Sequence, residues 1–248
     1  MTTMQPPDPR KLPNIRRLFI PDPGNVIGDA DLDRADLQVV IWEADDSEMK
    51  QMLREGVDMH AENAKTLHCT RPQAKAWVHG TNYGGSPRTM ALAAGVTTAQ
   101  SEAMQRRWFS AHPGIKEWHR RTEVQLQTTR SVRNAFGFRR TYFDRVEGIL
   151  PAALAWIPQS TVANVINKGL LNIYNNLPQV QLLLQVHDSL VFQWPASSDP
   201  FLRPAIRSNL LITIPYPDPL IIPVGLKVSA DSWGDCKSTT WELGDAVR

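Results

Sequence analysis

The sequence predicts an α+β fold: an antiparallel sheet with packed helices, and a helical subdomain inserted between the strands of that sheet. Three observations carry this reading. Apolar Leu184-Gln185-Val186 and Leu190-Val191-Phe192 flank His187-Asp188-Ser189, the pattern of a β-hairpin with a tight turn. Helical spacing and helix-start signals fill residues 35–129. Strand-like stretches lie on both sides of that helical block, at 26–28 and at 222–228.

Residues 1–18 are Pro-rich and basic and read as an extended lead-in. Leu18-Phe19-Ile20 and Val26-Ile27-Gly28 flank Pro21-Asp22-Pro23-Gly24-Asn25, which reads as a hairpin turn. Residues 35–44, 46–56 and 58–69 read as helices. The next helix opens at Thr70, an N-cap with Gln73 at the capping-box position and Pro72 in the first turn, and ends near Gly84-Gly85. Thr97 and Gln100 form a second capping box before a helix to about Ala111. His112-Pro113-Gly114 breaks it, and another helix follows over 115–129. A turn-rich strand pair is expected over 131–145. A long helix is expected over 152–175, where Val162, Val165, Ile166, Leu170, Ile173 and Tyr174 recur at helical spacing. A hairpin at 180–194, a helix at 198–212 and a strand at 222–228 complete the order. No internal repeat or low-complexity segment is present.

At 248 residues, 42% hydrophobic and 21% charged, the chain suits one large globular domain or two small ones. No apolar run of about 18 residues stands out, so neither a membrane span nor a membrane partner is expected. The N-terminus lacks the pattern of a signal peptide. Cys69 and Cys236 have neither metal-site nor disulfide spacing and read as reduced thiols of a cytoplasmic protein. Charge is uneven although the net is only +2. Residues 101–140 hold nine Lys or Arg against three Glu, and residues 29–62 hold eleven acids against three bases. A basic block beside an acidic one suits a phosphate-backbone track next to a metal centre.

The acids include two with a chemical setting. Asp188 sits at the crest of the hairpin, and Asp31 follows the apolar run at 26–30. Two Asp from distant segments, each at a strand end, suit a two-metal site for phosphoryl transfer. Mg²⁺ is the expected metal, since it takes few protein carboxylates and completes its shell with water and phosphate oxygens. Asp29 and Asp33 read as surface or supporting residues. On the helix opened by Thr70, Arg71, Lys75, His79 and Tyr83 recur every four residues and form one stripe. Arg, Lys and His on such a stripe make a triphosphate cradle, and the aromatic at its end offers a stacking platform.

The spacing Arg71-x3-Lys75-x7-Tyr83-Gly84 resembles the fingers helix of family A DNA polymerases, the bacterial polymerase I type. Ala30-Asp31-Leu32-Asp33-Arg34-Ala35-Asp36-Leu37 resembles the family's first catalytic motif, Gln185-Val186-His187-Asp188-Ser189 its last, and Asp58-Met59-His60 a segment between the first two. Weaker echoes include Phe136-Gly137-Phe138-Arg139-Arg140, Pro158-Gln159-Ser160-Thr161 and Gly225-Leu226-Lys227-Val228 with Trp233. The resemblance runs from about residue 13 to 236. It implies a palm sheet and inserted helical fingers: residues 1–45 first palm part, 46–130 fingers, 131–248 second palm part. It implies Asp31 and Asp188 as catalytic carboxylates holding two Mg²⁺ ions, with Mn²⁺ as a substitute. It implies His60, Arg71, Lys75 and His79 at the incoming nucleotide, Tyr83 near the templating base, and Asp36 as the gate against a ribose 2′-OH. His187, Gln159, Arg139 and Arg140 would touch DNA. Primer-template DNA and deoxynucleoside triphosphates are the implied partners.

Departures from the family pattern qualify this picture. Asp36 stands where the family has Glu and predicts looser exclusion of ribonucleotides. Ser189 replaces a Glu, His79 an aromatic, and Ala155 a frequent Asn. Fewer than 31 residues precede Asp31, too few for the family's thumb or exonuclease. The expectation is a thumb supplied by a second polypeptide, with a fragment or a distributive minimal polymerase as alternatives, and no proofreading. Two other functions compete: a single-subunit RNA polymerase, which shares the His-Asp-Ser sequence but carries a small residue at the gate, and a non-catalytic palm module that binds nucleic acid. The cytoplasm of a bacterial or phage-infected cell, or an organelle matrix, is the expected location.

Overall fold

A computed structural model describes residues 13–143 and 145–242. Strand β1 (Asn25–Leu32) comes first. Seven helices follow: α1 (Ala35–Ala44), α2 (Ser47–Arg54), α3 (Met59–Leu67), α4 (Arg71–Asn82), α5 (Pro87–Ala94), α6 (Thr98–Ala111) and α7 (Pro113–Thr129). Next come β2 (Ser131–Arg133), β3 (Arg139–Thr141), the long helix α8 (Val146–Asn176) and the hairpin β4 (Gln181–Val186) and β5 (Ser189–Pro195). Helix α9 (Asp199–Leu210), the short strands β6 (Thr213–Ile214) and β7 (Leu220–Ile221), β8 (Val224–Ser229) and β9 (Lys237–Thr239) complete the described chain. Two compact units result, one running up to Ala35 and resuming at Val162, the other Asp36–Thr161. The helical unit is therefore inserted between the strands of the sheet, as the predicted fold class requires. The functional partition drawn from sequence turns at 45 and 130, whereas the packing units turn at the start of α1 and within α8.

The first unit is built on an antiparallel sheet in the order β4-β5-β1-β8-β9. In the register Asp31 faces Ser189 and Gly225, Asp29 faces Val191 and Lys227, and Ile27 faces Gln193 and Ser229. Side chains alternate along a strand, so Ile27, Asp29 and Asp31 share one face. Ile27 packs there with Val191 and Trp233, under Phe19, Leu184 and Val186. Gly28, Ala30 and Leu32 share the other face. A Cβ on Gly28 would lie 2.4 Å from the Trp194 ring, so glycine is required where β1 passes under that indole.

The second unit packs α1, α7, the β2–β3 pair and the N-terminal half of α8 around Val40, Trp118, Leu126, Tyr142, Leu154 and Ile157. Helices α4 and α6 are pinned together by buried hydrogen bonds. Trp77 Nε1 donates to Ser101 Oγ at 3.1 Å, and Trp108 Nε1 to Asn82 Oδ1 at 2.9 Å. Both capping boxes form: Thr97 N–H donates to Gln100 Oε1 and Gln100 N–H to Thr97 Oγ1, and Thr70 N–H donates to Gln73 Oε1.

Four expectations change. The hairpin expected around Pro21–Asn25 is absent: only its second arm is a strand, because Pro21 and Pro23 lack ladder N–H groups and the Phe19 carbonyl instead accepts from Trp233 N–H at 2.8 Å. Helix α5 is an addition, although its signals were in the sequence: Ser86 caps it, Pro87 opens it, and Gly95 closes it at φ +67°. Helix α8 starts six residues earlier than expected and runs through Pro151 and Pro158. Burial of Ile149, Ala153, Leu154 and Ile157 outweighs the roughly 3 kcal/mol an interior proline costs. The stretch Gly148–Asn176 is also long and apolar enough to cross a membrane by length and composition, contrary to the expectation that no such run exists. Its buried face is the core face just described. The lead-in expected over 1–18 falls largely outside the described residues; Ile15–Leu18 form a single 3₁₀ turn capped by Asn14.

Candidate metal centre and nucleotide-binding helix

Two carboxylates come close to each other at adjoining strand ends. Asp31 is the penultimate residue of β1, and Asp188 lies in the β4–β5 turn directly beyond its register partner Ser189. The Leu32 amide donates to the Asp188 carbonyl at 3.0 Å and ties the turn to the end of β1. His187 takes the left-handed conformation, φ 56°, that lets a two-residue turn close and leaves its ring exposed. Burial, then the nearby Asp188 charge, raises the Asp31 carboxyl to about 6, against a partial offset from Lys227. Gly225, the other register partner, leaves the space beside Asp31 free of a side chain.

Like charges held this close fit a divalent cation. Among the described residues no group of three or more His, Cys, Asp or Glu side chains forms a cage. A pair of carboxylates is the donor set Mg²⁺ accepts when substrate phosphates complete its shell.

The second constellation lies within the inserted unit. Helix α4 turns Ala74, Trp77, Val78 and Thr81 inward and leaves Arg71, Lys75 and His79 exposed along one stripe. Arg71 reaches back to α3: its Nε donates to Asp58 Oδ2 at 2.9 Å. The same carboxylate caps α3 by accepting from the His60 and Ala61 amides, so Asp58 couples the placement of His60 and Arg71. At the other end Tyr83 stacks edge-on to His79, with centroids 4.5 Å apart, and its hydroxyl donates to Asp36 Oδ2 at 3.0 Å. Burial and the Asp36 charge push the Tyr83 phenol far up, so it stays a donor. Gly84, at φ +75°, ends the helix against Leu154. Arg139 and Arg140 are exposed on β3, the latter over the Tyr142 ring at 5.0 Å, and Gln159 is exposed on α8.

The structure thus joins Asp31 with Asp188 in one unit. In the other it joins Asp36 with Tyr83, and His60 with Arg71 through Asp58. Sequence reasoning missed the work of Asp58, although a charged residue directly before a helix start was a visible N-cap signal. It also placed Asp29 with the surface or supporting residues, and Asp29 is buried.

Known DNA polymerases resemble this chain in sequence and in fold. The chain is 28% identical over 230 residues to the thermostable DNA polymerase I of Thermus filiformis, covering 86% of this chain and 28% of that protein. It is 27% identical over 228 residues to the DNA polymerase of Mycobacterium phage D29, covering 89% of this chain and 37% of the phage protein. The chain therefore spans about a third of the length of these relatives. Its fold matches the POL domain of Pol1 from M. smegmatis, solved in complex with DNA primer-template and dNTP, with a TM-score of 0.80 at 20% identity. That match covers 89% of this chain and 42% of the other. Residues 6–235 match DNA polymerase family A, and the chain belongs to that family.

Proposed function

We propose that this chain performs template-directed DNA synthesis, adding deoxynucleotides to a primer 3′-OH with release of pyrophosphate, in DNA replication or repair. The observation that carries the reading is the pairing of Asp31 with Asp188 at adjoining strand ends, where burial and mutual repulsion favour a cation. Two Mg²⁺ ions held by these residues would supply the charge that activates the 3′-oxygen and stabilises the leaving group, with Mn²⁺ as a substitute. Arg71, Lys75 and His60 bind the triphosphate, where charge develops in the transition state. His79 meets the incoming sugar and Tyr83 the nascent pair. Asp36, held by the Tyr83 hydroxyl, excludes a ribose 2′-OH less strictly than a longer Glu. His187 touches the primer-terminal phosphate, Gln159 the minor groove, and Arg139 and Arg140 the DNA backbone. In functional terms residues 1–45 and 131–248 act as the palm and 46–130 as the fingers. Primer-template DNA and deoxynucleoside triphosphates are the partners, with a second polypeptide adding backbone contacts where extension by this chain alone is distributive. The work is done in the cytoplasm of a bacterial or phage-infected cell.

The test is primer extension on a primed template with Mg²⁺, comparing deoxynucleotides with ribonucleotides and wild type with Asp188→Asn. Deoxynucleotides are expected to be preferred, and the variant to lose extension by at least about a hundredfold with DNA binding intact. Residual synthesis above a few per cent in Asp188→Asn sinks the metal assignment. A preference for ribonucleotides favours an RNA polymerase, and binding without synthesis a non-catalytic module.

A further inference from the structure

Asp29 lies two residues before Asp31, on the same face of β1, and is only 5% exposed. A carboxylate is rarely buried this deeply without full satisfaction of both oxygens. Here one oxygen is satisfied: Oδ2 accepts from Trp233 Nε1 at 2.8 Å. The other, Oδ1, is buried with no hydrogen-bond partner. Ile27, Val191 and Trp233 pack together on the same face of the sheet. Across the β1–β8 ladder Asp29 faces Lys227, which is half-buried. Asp29 and Lys227 both act on Asp31, and with opposite sign. The other register partners of Asp31 bring no charge, since Gly225 has no side chain and Ser189 donates its hydroxyl to the Val186 carbonyl.

We propose that Asp29 is a positioning residue that sets the divalent-cation affinity of the Asp31–Asp188 pair, with Lys227 as its counterweight. This rests on the metal reading of that pair given above. Asp29 does not ligate the ion. Its charge, fixed in direction by the Trp233 indole and left without a local partner on Oδ1, deepens the negative potential where the cation sits. Lys227 makes it shallower. The balance of the two tunes the site without adding a third carboxylate to the cation's shell.

Electron paramagnetic resonance of Mn²⁺ titrated into the full chain, without DNA, tests this. Wild type is compared with Asp29→Asn, Lys227→Gln and Asp188→Asn. Asn keeps an oxygen that can accept from Trp233 Nε1, so the fold around it is conserved while the charge is lost. Asp29→Asn is expected to weaken Mn²⁺ binding by about three- to tenfold, and Lys227→Gln to strengthen it by a similar factor. The Mg²⁺ concentration for half-maximal primer extension should move in the same two directions, with the KM for deoxynucleotide at saturating Mg²⁺ unchanged. If melting shows that Asp29→Asn does not fold, the sign of the Lys227→Gln effect decides alone. Variants that bind Mn²⁺ as wild type does, at a site Asp188→Asn abolishes, overturn the inference and leave the metal reading standing. Mn²⁺ binding indifferent to Asp188→Asn overturns both.

Discussion

Asp31 shows what a strand end does to a carboxylate. Its folded-state pKa of about 6 lies above the ordinary value of 3.8, because burial and Asp188 disfavour the ionised form. The native state therefore holds the Asp31 proton more tightly than the unfolded chain does. The contribution of Asp31 to stability is full below about pH 4 and is lost as pH rises through about 6. Asp31→Asn is expected to raise metal-free stability near neutral pH by about 1 kcal/mol, after discount for its partial exposure, and to do nothing below pH 4. Thermal melts in EDTA across that range check the sign; a uniform effect at all pH values would refute the electrostatic cause. Added Mg²⁺ should stabilise wild type and not the variant. Asp31 and Asp188 were legible in the sequence because each ends an apolar run. Asp29 was not, because charged side chains are so seldom buried that an alternating Asp reads as solvated.

Helix α2 depends on one side chain that joins it to the start of α7. Asp46 caps α2 by accepting from the Met49 amide at 2.9 Å, and its other oxygen meets His112 Nδ1 at 2.9 Å. Burial opposes ionisation of Asp46, but hydrogen bonds from His112 and Met49 outweigh it and hold the carboxyl below its usual range. Its contribution is present above about pH 4 and lost as pH falls through the folded-state value. Asp46→Ala should cost about 3 kcal/mol at neutral pH, from the lost cap and the stranded imidazole, with the gap closing in acid. Denaturant titrations at two pH values measure this, and a gap that persists in acid would contradict it. The capped helices were the legible ones: Thr70 and Thr97 with their Gln partners mark α4 and α6 in the sequence alone. Helix α8 resisted because its opening turns run through Pro151, which argued for a later start, and only tertiary burial overrides it. The two- and three-residue strands β6, β7 and β9 carry too short a pattern to be read.

At the scale of the whole molecule, a net charge of +2 says little, and the distribution says more. Exposed Arg139 and Arg140 stand on a two-stranded ribbon, available to a phosphate backbone. Replacing both with Gln should weaken primer-template binding at low salt. It should also flatten the plot of log affinity against log salt by about two, one for each lost phosphate contact. Fluorescence anisotropy over a salt series reads both; an unchanged slope would place these arginines off the DNA. The fold class was legible because hairpin, helical block and late strand appear in order. The insertion boundary was not, because α8 runs through it without a break in pattern.

Strand β1 carries both carboxylates on odd-numbered positions, with Asp29 and Asp31 opposite in facing to Gly28 and Ala30. That parity restricts how the gene can vary in length. One codon gained or lost inside the strand exchanges the two faces, turning both carboxylates towards Trp194 and the glycine away from it. Within β1 of lineages descending from this sequence, only paired insertions preserve both the core and the carboxylate face.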